Sequence, residues 1–193
     1  MRVFLSTLVA ASALSACSGS GVSFRNTDIT GANYGKDFEL TDHTGKKRTL
    51  ADFRGKVVVV FFGYTRCPDV CPTTLADLRL AREQLGEDGK RVQVLFITVD
   101  PERDTRQLLA SYVPAFDPSF LGLYGDAAAT ARVAKEFKVF YQKAPGKTPD
   151  SYTVDHSSGS YVFDPQGRLR LLVRQGSVPN LVADLKTLLS ARG

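Results

Sequence analysis

The 193-residue sequence holds one methionine (Met1), two histidines (His43 and His156) and three cysteines (Cys17, Cys67 and Cys71). Met1 lies in a segment that reads as removable, so a methionine-rich metal site is excluded. Basic residues exceed acidic ones only mildly, 25 Lys and Arg against 20 Asp and Glu. They form no basic run, which argues against nucleic acid as a partner. After the first 16 residues no stretch is long and apolar enough to span a bilayer. No internal repeat is evident, and the only low-complexity tract is SGSG at 18–21, which reads as the start of a flexible tether.

Ahead of that tether, Met1 and Arg2 give a short positive start. VFLSTLVAASAL at 3–14 gives an apolar core of signal-peptide length, and LSAC a small-residue cleavage site ending in Cys17. The segment looks like a bacterial lipoprotein signal (1–16), with Cys17 the lipidated first residue of a tether over 17–35 and one domain over 36–193. An ordinary secretory signal with an incidental cysteine is the blander alternative. Both export the chain, and the lipoprotein form places it on the periplasmic side of a bacterial membrane.

Cys67 and Cys71 remain, in FFGYTRCPDVCP (61–72). Two thiols in an exported protein form one structural disulfide by default. A bridge across so short a loop restrains little of the unfolded chain, however, and this spacing points instead to redox or metal chemistry. Ahead of the pair, VVVVFF at 57–62 is a continuous β-branched and aromatic run of the kind buried on both faces of a parallel sheet, and VQVLFITV at 92–99 reads as a second. A helix over Pro72–Leu85, with Leu75, Leu78 and Leu85 near one face, completes a βαβ unit. Helices are expected over Asp104–Val113 and Ala127–Phe137. A hairpin of SYVF (160–163), DPQG and RLRLLV (168–173) follows, then a closing helix striped with Leu181, Val182, Leu185, Leu188 and Leu189. FELTDHTG and KRTL, around 38–50, suggest an N-terminal hairpin, and 144–150 a mobile loop.

This order, with a cysteine pair at the first βα turn, resembles the thioredoxin fold: α/β, a central mixed sheet flanked by helices. The CPDVCP motif, VDPERDT at 99–105 and YTVDHSSGSYVFDPQG at 152–167 together resemble the Sco/SenC family of copper-handling thioredoxin-like proteins, over roughly residues 24–190. Where that family often has proline after the DxxxDT segment, this chain has Arg106.

The chemistry can also be followed from the residues. The cysteines sit at the carboxyl end of a central strand, where ligand sites gather in open α/β sheets, and the positive end of the next helix is expected to favour thiolates. In thioredoxin-like topology the strand at 160–163 starts beside the end of the first strand, which brings His156 to the place of the proline that covers the thioredoxin cysteines. A lone histidine on a loop ordinarily has a polar surface role; the family resemblance makes His156 the third metal ligand. Two thiolates and an imidazole suit copper(I), and copper(II) would recruit a fourth oxygen ligand such as water. A structural zinc site would want a fourth ligand, and no third downstream cysteine exists. Without methionine a blue-copper site is excluded as well. Asp69, Asp100 and Asp155 are candidates to tune the site or to accept a hydrogen bond from His156. Asp104 reads as a helix cap and His43 as a surface turn residue.

The resemblance implies a membrane-tethered copper chaperone for the copper-site subunit of cytochrome c oxidase, with a periplasmic thiol reductant and another copper chaperone as further partners. A second reading makes Cys67 and Cys71 the redox pair of a thiol-disulfide oxidoreductase. A third, a peroxidase, draws on the peroxiredoxin-like VCPTT. It is weakened because Pro68 and Tyr64 stand where the threonine three positions before a reactive cysteine is needed.

Overall fold

The computed structural model describes residues 23–148, 151–174 and 176–191; the signal segment, Cys17 and the SGSG run lie outside them. Its centre is the parallel pair β4 (Val57–Gly63) and β5 (Val92–Thr98), buried along their whole length and in register from Val57 opposite Val92 to Gly63 opposite Thr98. Both faces of these strands are covered, so neither alternates with polar residues. Phe62 meets Phe137 and Tyr161 on one face. Its neighbour Phe61 points the other way and meets Phe96, which in turn meets Tyr112.

The remaining strands extend this pair into one mixed sheet. β6 (Leu121–Tyr124) joins β5 in parallel, and β9 (Ser160–Phe163) joins β4 antiparallel. β10 (Leu169–Val173) returns from β9 through the DPQG turn, where Gly167 takes a φ of +71° and its N–H donates to the Asp164 carbonyl at 2.8 Å. The N-terminal hairpin is β2 (Leu40–Asp42) with β3 (Lys47–Arg48), lying beside β6, while β1 (Thr27–Asp28) adds to the other edge beside β10. A separate two-stranded hairpin, β7 (Tyr141–Ala144) with β8 (Thr153–His156), shares no ladder with the main sheet. Towards its tip the Ser151 N–H donates to the Thr148 carbonyl at 3.0 Å; this is the segment expected to be a loop at 144–150, of which 149 and 150 lie outside the described residues.

The helices are α1 (Val70–Gln84), α2 (Arg106–Tyr112), α3 (Ala127–Glu136) and α4 (Val178–Ser190). α1 starts two residues earlier than Pro72, so Cys71 lies within its first turn and Pro72 occupies a position whose missing N–H costs nothing. α2 starts later than expected. Its cap is Thr105, which accepts from the Leu108 N–H at 3.2 Å, so the capping role assigned to Asp104 is corrected.

Residues 23–35, which the sequence placed in the tether, pack on the domain in the structure. The Asp184 carboxylate of α4, 1% exposed, accepts from the Arg25 N–H at 2.8 Å, the Asn26 N–H at 2.9 Å and Asn26 Nδ2 at 2.7 Å. Hydrogen bonds to a charged, buried acceptor are the strong ones. Asp184→Ala is expected to lower the unfolding free energy by about 2–3 kcal/mol, measured as a shifted denaturant midpoint together with faster amide exchange in β1. A midpoint matching wild type would show that this anchor carries no stability.

Candidate metal centre

The cysteine loop springs from the end of the β4–β5 pair. Immediately after Gly63 the chain leaves the sheet, and the Thr65 N–H and hydroxyl donate to the Asp104 carboxylate at 3.1 and 2.6 Å. The Thr98 hydroxyl, at the end of β5, donates to the same carboxylate at 2.6 Å. Asp104 is almost wholly buried. Burial raises its pKa against the lowering by the Thr65 and Thr98 hydrogen bonds. It therefore knots the exits of the two central strands together rather than capping a helix.

Cys67, Cys71 and His156 converge beside that knot, with Sγ, Sγ and a ring nitrogen all within 4.8 Å of one another. Both cysteines are free thiols. The Cys71 N–H, in the first turn of α1, lies 3.4 Å from Cys67 Sγ and donates to it, while His156 Nε2 sits 3.4 Å from Cys71 Sγ. His156 Nδ1 is 3.0 Å from the Ser157 carbonyl oxygen. A carbonyl only accepts, so Nδ1 carries the proton and Nε2 turns its lone pair toward the sulfurs. Burial lowers the His156 pKa, so the imidazole is neutral at pH 7. The rings of Phe61 and Tyr64 flank it, at 6.2 and 5.9 Å between centroids.

The expectation of a helix-stabilised thiolate does not hold at Cys71. Full burial raises its pKa, reinforced by its hydrogen bond with Cys67. The helix N–H is spent on Cys67, and Cys71 lies in the interior as a thiol. Space for its sulfur comes from Gly63, where an added Cβ would lie 2.8 Å from Cys71 Sγ and 2.8 Å from Phe96 Cε2.

None of the carboxylates proposed from sequence accepts a hydrogen bond from the imidazole, although the charge of Asp155 acts on it, raising its pKa against the larger lowering by burial. Asp155 neighbours His156 on β8 and therefore faces the opposite side of the strand. Asp100 is turned to Arg103 Nε at 2.5 Å and to the Tyr152 hydroxyl at 2.8 Å. Asp69 is exposed on the rim of an open pocket of about 410 Å³, which Cys67 and His156 also line. His156 itself ends strand β8 rather than lying on a loop. His43 is in its turn but is half-buried: its Nδ1 accepts from the Gly122 N–H at 3.0 Å, tying that turn to β6. Sequence reasoning missed Gly63, Thr65, Thr98 and Tyr64. The glycine ending an otherwise apolar strand just before the cysteines was the available signal.

The donor set fits a soft or borderline cation: two sulfurs, one neutral imidazole nitrogen and no carboxylate in the group. The SCO1/SenC family model matches residues 26–190. The chain belongs to the SCO1/SenC family. It is 47% identical over 133 residues to the mitochondrial Protein SCO2 homolog of Bos taurus, covering 68% of this chain and 50% of that one. The chain thus spans about half the length of the curated relatives it matches. Among solved structures it is similar to Bradyrhizobium japonicum ScoI with copper bound, at 41% identity and a TM-score of 0.75, covering 81% of this chain and 99% of that one. It is also similar to apo Sco1 of Thermus thermophilus, at 43% identity and a TM-score of 0.78, covering 89% and 100%. These members share the thioredoxin-like fold.

Overpacking a closed interior costs about 1–3 kcal/mol. Gly63→Ala is therefore expected to lower stability by that amount and to push Cys71 Sγ out of line with His156, seen as faster alkylation of Cys71. Wild-type stability and wild-type thiol reactivity in this variant would contradict the packing role given to Gly63.

Proposed function

We propose that Cys67, Cys71 and His156 bind copper as cargo, and that the protein delivers it to the copper-site subunit of cytochrome c oxidase during assembly. The observation that carries this reading is the meeting of two thiols and a tautomer-fixed imidazole within 4.8 Å. The copper-bound Bradyrhizobium relative supports the choice of metal. Among the described residues no helix is long and apolar enough to cross a membrane. In this reading the chain is exported, cleaved before Cys17, lipidated there and held at the periplasmic face of a bacterial membrane. A periplasmic thiol reductant keeps the pair reduced, and a further copper chaperone is the natural supplier.

The chain's own groups suggest an order for the transfer. Cys67 and His156 line the open pocket, whereas Cys71 is wholly buried behind them. Incoming sulfur and imidazole ligands of the target meet Cys67 and His156 first, and Cys71 releases last. Binding displaces the Cys71 proton, while His156 is already neutral and gives up none. The alternative, a thiol-disulfide reductase acting on the oxidase cysteines, draws on the proximity of the two sulfurs, with Cys67, which lines the open pocket, as the attacking group.

Cys67→Ser, Cys71→Ser and His156→Ala are each expected to weaken copper(I) binding by at least about tenfold, measured by competition with a chromophoric chelator. His43→Ala should retain wild-type affinity. A Cys67–Cys71 disulfide should abolish binding, and oxidised protein that bound as tightly as reduced would mean the ligands are misassigned. The raised Cys71 pKa also sets a sign: from pH 6.5 to 8 the folded thiol stays protonated, so apparent affinity should climb with pH by about tenfold per unit for each thiol proton displaced. A flat profile would mean that the thiols are not the ligands. In cells, His156→Ala should lose oxidase activity at limiting copper and recover partly with added copper. Full activity at limiting copper would favour the reductase, which keeps its dithiol in this variant.

A further inference from the structure

The β7–β8 hairpin carries His156 yet shares no ladder hydrogen bond with the main sheet. Something else must hold the imidazole against Cys71. At its base the hairpin closes on itself, the Ser157 N–H donating to the Phe140 carbonyl at 2.9 Å. Away from the base it is gripped by one side chain of the loop after β5. Arg103 stacks its guanidinium on the Tyr152 ring at 3.5 Å and donates from Nη1 to the Tyr152 carbonyl at 2.8 Å. It also lies over the Tyr64 ring at 5.9 Å, and Tyr64 hydrogen-bonds the Val154 backbone and stands edge-on to His156.

The grip is itself braced. Asp100, with a fully buried side chain, accepts from Arg103 Nε at 2.5 Å and from the Tyr152 hydroxyl at 2.8 Å, so one carboxylate fixes both halves of the stack. Lys143 of β7 adds an outer tie to Glu102 at 2.6 Å, and this exposed pair contributes little. The DPER portion of the VDPERDT segment thus grips, through Tyr152 and Tyr64, the strand that carries one of the three donors.

We propose that Arg103, braced by Asp100, is the positioning residue for His156. It clamps the β7–β8 hairpin through Tyr152 and Tyr64 and so determines whether the centre offers two donors or three. The cysteines sit on α1 and its preceding loop, fixed by the Asp104 knot, and need no clamp. With the clamp engaged, Nε2 stands at Cys71; with it released, the hairpin pivots near Ser157 and leaves a two-sulfur site. This rests on the copper reading of the centre for its effect on affinity, and on the hairpin geometry alone for its effect on the metal-free protein.

The test uses Arg103→Lys, which keeps a cation beside Asp100 but loses the planar fork, and Tyr152→Leu, which leaves Arg103 and Asp100 paired and removes the stacked ring. Each is made alone and combined with His156→Ala. In the metal-free protein, amide exchange at Val154, Asp155 and His156 is expected to quicken at least about tenfold while β4 and β5 keep their protection. Copper(I) affinity should fall by about tenfold where His156 is present and stay at the His156→Ala value where it is not. Unchanged exchange in the hairpin would overturn the clamp. An equal affinity loss in both backgrounds would overturn it too, because the residues would then act on the fold as a whole. If His156→Ala alone bound copper like wild type, the copper reading would fall and the exchange result would decide the clamp by itself.

Discussion

Everything at the candidate metal centre depends on the unbroken parallel ladder between β4 and β5. Seven residues pair in register with both faces covered, and burying each of the large side chains involved contributes about 1.5–3 kcal/mol. The ladder ends with Gly63 beside Thr98, and the Val99 N–H still donates across to the Gly63 carbonyl at 2.9 Å. From those two ends leave the cysteine loop and the Asp100–Asp104 loop. β9 lies on the far side of β4 with Ser160 opposite Phe61, so the histidine four residues before Ser160 arrives at the same end of the sheet. The register therefore brings the cysteines and the base of the hairpin that bears His156 to the same end of the sheet.

The central strands, the βα turn bearing the cysteines, the final hairpin and the striped last helix were legible because each is a long apolar pattern with clear boundaries. Short elements were not, apart from the β2–β3 hairpin with its DHTG turn. β6 is four residues with Gly122 inside it, and that glycine is there because Leu109 and Val113 of the α2 region press within 3.2 Å of where a Cβ would lie. β8 alternates, with Thr153 and Asp155 exposed and Val154 buried, but over four residues only, and β7 has no apolar residue between Tyr141 and Ala144 to mark it. The three donors could be named from spacing and resemblance. Their partners could not: Ser157 contributes through its backbone carbonyl, which any residue would supply, and Asp104 looked like a cap because a helix follows it closely.

Electrostatically, burial favours the neutral form of two of the three donors, His156 and Cys71. Burial lowers the histidine and raises Cys71, so in the metal-free protein no uncompensated negative charge rests on the wholly buried Cys71 sulfur. A cation entering there changes the balance: thiolates that would be costly alone become counter-charges. The same dryness that disfavours ionisation in the metal-free protein strengthens the attraction once metal and sulfur meet.

Arg106 stands where the family resemblance leads one to expect proline. Proline stiffens a chain by its own ring, whatever the rest of the molecule is doing. Arg106 reaches instead across to the β2–β3 turn, donating to the carbonyls of His43 and Thr44 at 3.0 and 2.6 Å, and its guanidinium fills the space that a side chain at Gly45 would need. The start of α2 is thereby made rigid only on condition that the N-terminal hairpin is folded. Local stiffness has been exchanged for cooperativity: fraying of a surface turn more than sixty residues away in sequence loosens the helix that follows the Asp104 knot, and the two are expected to melt as one unit.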